Sequence, residues 1–245
     1  MIATLPMYDR PELFEAHDAL WASVRSQLGQ GPDHLTRDGD LWEMWQSPDL
    51  LLAQTCGLPF RAVLHDQVTL VGSPDYGLPG CAPGYYNSVF IAHVDSDIHQ
   101  LKDIEKQKIA VNEPLSQSGW SAPYEETKAQ GITLGPVKLS GAHRASALAV
   151  AEGHAATAAI DAHTWRLVQR YEPWAKSLRE IARTTPTPAL PFITNQPHLA
   201  QDLLQALRSA IAALSVEHRD LLGLKGIVAI PEAEYLALPL PPEVD

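Results

Sequence analysis

Apolar residues recur along this chain in two periods, helical and strand-like, that alternate almost from end to end. The strand-like opening ATLPMY comes first. Leu13, Phe14, His17, Leu20, Trp21, Val24 and Leu28 then keep helical spacing, with Asp9 and Glu12 in capping-box register and Gly29 closing the end. The run 49–54, bounded by Pro48 and Gly57, predicts a short buried strand. Strands follow at 68–72 and 87–92, separated by the loop SPDYGLPGCAPGYY. The middle third predicts strands at 108–111, 137–140 and 157–161. Helices at 120–130, 143–152 (stopped by Gly153) and 163–171 lie between and after them. Residues 177–183 lead into the proline-rich TTPTPALP. Beyond it, Leu199, Leu203, Leu207, Ile211 and Leu214 mark an amphipathic helix, and 226–230 with the residues after Pro231 suggest one more strand and a terminal helix.

Such βαβα order predicts mostly parallel sheets covered by helices. Two segments rich in proline or glycine, near 73–87 and 184–191, divide the chain into an outer pair and an inner block. The expected architecture is therefore two α/β lobes with a cleft between them. The outer lobe is discontinuous, from 1–88 and 188–245, and the inner lobe spans 89–187.

Charge and composition narrow the partners. With a formal net charge of −11 over 245 residues, nucleic acid and anionic membrane surfaces are poor partners. No apolar run reaches transmembrane length, so membrane insertion is not expected. Acidity leaves anionic small molecules open, because backbone amides and hydroxyls bind anions without a basic surface. The N-terminus has neither a basic segment nor an extended apolar one, so the chain as written carries no secretory signal. It reads as cytoplasmic, or as periplasmic if a signal has been removed. Cys56 and Cys81 lie outside any CxxC arrangement. They fit two thiols in a reducing compartment or one disulfide in an oxidising one.

The stretch VNEPLSQSGW, residues 111–120, carries the most chemistry. A strand empties into a loop holding Ser116, Gln117, Ser118 and Gly119, and a helix begins near Trp120. The first N–H groups of a helix lack intrahelical partners, and two hydroxyls with a close-approaching glycine turn such an end into an anion cradle. The plainer reading is a serine N-cap. Four other groups fall at predicted strand ends, where open α/β sheets place ligands. They are Tyr8-Asp9, Gln54-Thr55-Cys56, the SGAH sequence ending at His143, and Asp161. Each has a structural alternative: Asp9 and Asp161 as helix caps, Gln54 and Thr55 as partners for strand-end backbone. His143 starts a helix, where the dipole disfavours protonation, so a neutral hydrogen-bonding imidazole is expected.

Catalysis is the weaker reading. No GxSxG surrounds a nucleophile, the ten histidines show no metal-ligand spacing, and neither GxGxxG nor GxxxxGK[ST] is present. No catalytic residue, metal or cofactor is expected. Tyr76, Tyr85, Tyr86 and Trp120 suit the aromatic wall of a small-molecule cleft, whereas Trp42 and Trp45 read as core residues at helical spacing.

The strings GYYNSVFIAHVDS, SQSGWSAP and SGAHRASALAVAEGHAATAAID together resemble the phosphonate-type substrate-binding proteins of ABC transporters, in motif order over about 50–161. The resemblance implies the type II periplasmic-binding-protein fold, a two-lobe venus flytrap. It also implies a solute-binding protein for a small anionic ligand such as a phosphonate or phosphate ester, with an ABC permease as partner. Ser116, Gln117, Ser118 and Gly119 would grip the anion, Tyr85 or Tyr86 would be the crossover tyrosine, and His143 the helix-start histidine. Asp161 would meet a ligand amine, and Tyr8, Gln54 and Tyr86 the ligand's other groups across the lobes. The chain departs from the pattern in lacking a signal, in being short, and in carrying His154-Ala155-Ala156-Thr157 where an acidic residue often follows the glycine. Two other readings remain: a cytoplasmic sensor or scavenger, and an enzyme resembling the thiamine-pyrimidine synthases, which use a cysteine-rich segment absent here.

Overall fold

The structure, a computed structural model, describes residues 1–244. The strands are β1 (Ile2–Thr4), β2 (Leu50–Gln54), β3 (Thr69–Asp75), β4 (Tyr85–Tyr86), β5 (Ser88–His93) and β6 (Ile109–Val111). They continue as β7 (Val137–Leu139), β8 (Thr157–Asp161), β9 (Leu178–Arg183), β10 (Thr187–Pro188), β11 (Phe192–Thr194) and β12 (Gly226–Val228). The chain forms two units. One comprises Met1–Tyr85 and Pro188–Ala237, the other Tyr86–Thr187 with residues 238–244.

The first unit is built on a sheet of order β1-β2-β11-β3-β12. On it, the helix Ala200–Ala213 buries Leu203, Leu204, Leu207 and Ile211, the face expected from their spacing. Its approach needs a glycine beneath it: a Cβ at Gly72 would come within 2.9 Å of Leu204 Cδ1. The helix Phe14–Leu28 packs beside it and ends where Gly29 turns left-handed (φ 74°), its N–H donating to the Arg25 carbonyl. Trp45, Leu50, Ala53, Phe60, Leu64, Val68, Ile193 and Tyr235 form a second apolar cluster, with Trp42 against it, so both tryptophans are core residues.

The second unit is built on a sheet of order β7-β6-β8-β5-β9. Phe90, Ala92, Ile98, Leu101, Ile104, Ile132 and Ala159 fill one side. Ile109, Val111 and Trp120 form another cluster, joined by Tyr124, Leu134, Val137 and Val244.

Two sequence expectations are corrected. The sheets are mixed, not mostly parallel: β1/β2, β6/β7 and β6/β8 are parallel, whereas β11 and β12 in one unit and β5 in the other run antiparallel to their neighbours. The reason lies in where the chain enters. β11 starts with Phe192 opposite Gln54, the last residue of β2, and β5 starts with Ser88 opposite Asp161, the last residue of β8. Strands entering at their neighbours' C-terminal ends must run back, and only strands joined through a helix in the same unit become parallel. The second correction is Asp9, which does not cap the helical turn at Pro11–Leu13. Its carboxylate accepts from His17 Nδ1 at 2.9 Å and Arg37 Nε at 2.6 Å. Burial opposes its ionisation, but these two bonds outweigh burial and hold the carboxyl below its usual range.

Candidate functional site

The loop after β6 folds as a wide turn, Gln117–Ser121, that runs into the helix Ala122–Ala129. Ser116 caps it: backbone φ −94° and ψ 123° are extended, and its Oγ accepts from Gly119 N at 2.9 Å. The Ser116 carbonyl accepts from Trp120 N at 3.2 Å and Ser121 N at 3.0 Å, the wider spacing that distinguishes this turn from an α-helical start. Helical structure therefore begins three residues before the Trp120 start that the pattern suggested.

Gly119 is needed for close approach, not for its backbone angle. A Cβ there would stand 1.8 Å from Asn112 Oδ1 and 3.1 Å from Ser116 Oγ. Asn112 thus lies directly on the glycine. Its carbonyl accepts from Gly141 N at 2.9 Å, and the Val111 carbonyl accepts from Ser140 N at 2.9 Å, so the loops after β6 and β7 are stitched side by side. Ser140 Oγ lies 2.7 Å from Ser146 Oγ, tying that second loop to the helix His143–Ala151.

This stitching brings His143 to the turn, with its Nε2 2.7 Å from Ser118 Oγ. The residue as a whole is half-buried, but its ring Nδ1 is buried. Burial pushes the imidazole from its usual 6.5 down to about 4, with the backbone at Ala159 acting the other way. His143 is neutral at pH 7. A base whose folded-state pKa is depressed costs stability as pH falls, because the unfolded chain takes up a proton first. Stability linked to His143 is thus complete above about pH 6.5 and is lost progressively toward pH 4. Between pH 7 and 5 the native chain is expected to lose roughly 1–2 kcal/mol more than His143→Gln in urea unfolding. Equal losses in the two proteins would show that the ring is not held neutral by the fold.

Asp161 ends β8 as expected, but its position is that of a cap. Oδ1 accepts from both His163 N and Thr164 N at 2.8 Å, and the residue is buried. Tyr86 is buried at the start of the same unit. Tyr8, Gln54 and Thr55 belong to the first unit. Tyr8 meets Tyr76 edge-on with centroids 5.1 Å apart, and Gln54 Nε2 donates to Tyr76 Oη at 3.4 Å and to the Leu190 carbonyl at 3.2 Å. Gln54 is therefore committed to the fold, whereas the buried Thr55 Oγ1 has no hydrogen-bond partner among the described residues. Cys56 and Cys81 are not joined in a disulfide.

Asn112 escaped the sequence reading. It had a signal in the string itself, as the polar residue where the strand ends, yet its contact with Gly119 depends on the turn's geometry. Tyr76, read from the sequence as an aromatic of a cleft wall, meets Tyr8 and accepts from Gln54.

The family model described as "ABC transporter, phosphonate, periplasmic substrate-binding protein" matches residues 2–235. The chain belongs to this family. It is a family of transport substrate-binding proteins, not of enzymes. No curated protein matches the chain by sequence. Among solved structures, it is similar to PhnD1 from Prochlorococcus marinus in complex with methylphosphonate, at 16% identity and TM-score 0.74, over 96% of this chain and 94% of that one. It is also similar to a binding protein component of an ABC phosphonate transporter from Pseudomonas aeruginosa, at 18% identity and TM-score 0.71, over 96% and 82% of the two chains. A third is XAC2383 from Xanthomonas citri bound to ATP, at 16% identity and TM-score 0.69, over 97% and 94%. At these identities the likeness establishes the fold, the two-lobe type II periplasmic-binding-protein fold. Among the described residues of this phosphonate-family protein, no helix is long and apolar enough to cross a membrane.

Proposed function

We propose that this family member binds a small phosphonate or phosphate ester in the periplasm and delivers it to an ABC permease, without chemically changing it. The anionic head would sit at the turn Ser116–Gly119. The observation that carries this reading is the Ser118–His143 contact of 2.7 Å on a turn already capped by Ser116. Ser116 Oγ serves as the cap of the turn by accepting from Gly119 N, and Ser118, beside His143, is the hydroxyl assigned to the ligand. A hydroxyl has one hydrogen to give. An anion favours every form of the pair in which His143 Nε2 carries a hydrogen toward Ser118 Oγ, because the Ser118 O–H can then donate to the ligand. His143 acts through Ser118 as a directed donor and needs no charge of its own. Tyr8, Thr55 and Tyr86 are proposed to recognise the ligand's remaining groups. With Asp161 Oδ1 capping a helix, the anionic end is the better-supported half of the site.

The test is a thermal-shift and calorimetry screen of methylphosphonate, ethyl phosphate, inorganic phosphate, methanesulfonate and acetate, with and without divalent cations. A ligand held at a hundred times its Kd stabilises the folded chain by about 2.7 kcal/mol. Methylphosphonate or ethyl phosphate is expected to produce that stabilisation, with methanesulfonate and acetate well behind. A screen in which no phosphorus oxyanion shifts the transition sinks the reading.

A further inference from the structure

The C-terminal tail, LPLPPEV at 238–244, lies beyond the residues that the family model matches. It belongs to the second unit, although the helix Glu232–Leu236 just before it belongs to the first. That helix is fixed in its own unit by Tyr235, whose Oη donates to the Ala189 carbonyl at 2.6 Å and whose ring meets Phe60 edge-on at 5.4 Å. The tail therefore starts from a held point. Its far end seats on Trp120: the indole Nε1–H donates to the Pro242 carbonyl at 2.8 Å, and Val244 joins the cluster of Ile109, Val111 and Trp120.

Trp120 lies two residues past Ser118 within the wide turn, and its own N–H closes onto the Ser116 carbonyl. The indole is almost fully buried, at 5% exposure. A buried indole N–H needs an acceptor, and leaving it without one is costly. Here the acceptor comes from the tail and not from residues 86–187 of the same unit. Pro239, Pro241 and Pro242 restrict the free tail, so docking it costs less chain entropy than docking a flexible one.

We propose that residues 238–244 are a positioning strap for the anion turn. Pro242 and Val244 act through Trp120 to hold the turn Gln117–Ser121 in its anion-binding shape. The strap touches no proposed ligand contact directly, and its effect on affinity rests on the placement of the anion at this turn.

Two variants of the full chain test it, Val244→Asp and Trp120→Phe. The first places a charge where the tail docks on the cluster of Ile109, Val111 and Trp120, and the second removes the indole donor together with part of its ring. Hydrogen exchange of the amides of Gly119, residue 120 and Ser121 is expected to quicken about tenfold or more in both. Methylphosphonate binding by calorimetry should weaken about tenfold, while Val244→Leu restores both readouts. A local effect of this kind would leave exchange in the helix Phe14–Leu28 unaltered, which a general loss of stability would not. Unchanged exchange at the turn overturns the strap whether or not any anion binds. Quickened exchange with unchanged affinity, in a chain that binds methylphosphonate, overturns its role in binding. Absence of methylphosphonate binding by the native chain counts against the ligand assignment alone, and exchange then decides the strap.

Discussion

Gly119→Ala is expected to weaken binding of a phosphorus oxyanion roughly a hundredfold, equivalent to about 2.7 kcal/mol. A single methyl group is enough because of what it meets. The new Cβ would fall 1.8 Å from Asn112 Oδ1, far inside contact distance, so the Asn112 side chain or the turn has to move. The backbone of Asn112 has little room to give. Its carbonyl is tied to Gly141 N, and the neighbouring Val111 carbonyl to Ser140 N. The turn is the softer partner, and it carries Ser118. Overpacking of this kind also costs folding stability, about 1–3 kcal/mol. The check is calorimetry together with urea unfolding, and Asn112→Ala added to Gly119→Ala should recover much of the affinity by removing the obstructing oxygen. Full binding by Gly119→Ala alone would place the anion away from this turn.

Ser118→Ala carries the next largest expectation, a loss of roughly 1–3 kcal/mol in anion binding with much less change in fold stability. The contrast with Ser116→Ala gives the prediction its force. Ser116 Oγ caps the turn through Gly119 N, so its removal should cost folding stability of about 1 kcal/mol and reduce affinity only through a looser turn. Ser118 Oγ has no such backbone duty and faces His143 Nε2. One serine is thus expected to be read mainly in unfolding experiments and the other mainly in binding experiments. Unchanged affinity in both variants would move the ligand elsewhere.

Much of this organisation was legible before any coordinates, for reasons that are local. Helical periodicity with a glycine stop located the helix Phe14–Leu28, because an amphipathic face and a left-handed C-terminal residue are both properties of consecutive residues. Leu203, Leu207 and Ile211 announced their buried face in the same way. The serine-glycine turn was visible because a cap, two hydroxyls and a glycine lie within four positions. The family resemblance rested on that string together with GYYNSVFIAHVDS and SGAHRASALAVAEGHAATAAID, and the family match over 2–235 agrees with it.

What depended on distant residues was not legible. Strand direction is one example: 192–194 reads as an extended apolar run whichever way it points, and only its entry opposite Gln54 makes it antiparallel. Asp9 is another. Its spacing to Glu12 fits a capping box, but His17 and Arg37, the latter 28 positions away, compete for the carboxylate, and the charge-assisted bond from Arg37 wins over a backbone amide. Within the site, short-range sequence determined that residues 116–119 form a capped, glycine-containing turn. The tertiary structure alone decided which hydroxyl His143 meets, why position 119 must be glycine, and that a proline-rich tail more than a hundred residues away completes the hydrogen bonding of Trp120. Caps and periodicity are written in neighbouring residues, whereas pairing across 25 or 122 positions exists only once the loops after β6 and β7, and the chain's last residues, have been packed together.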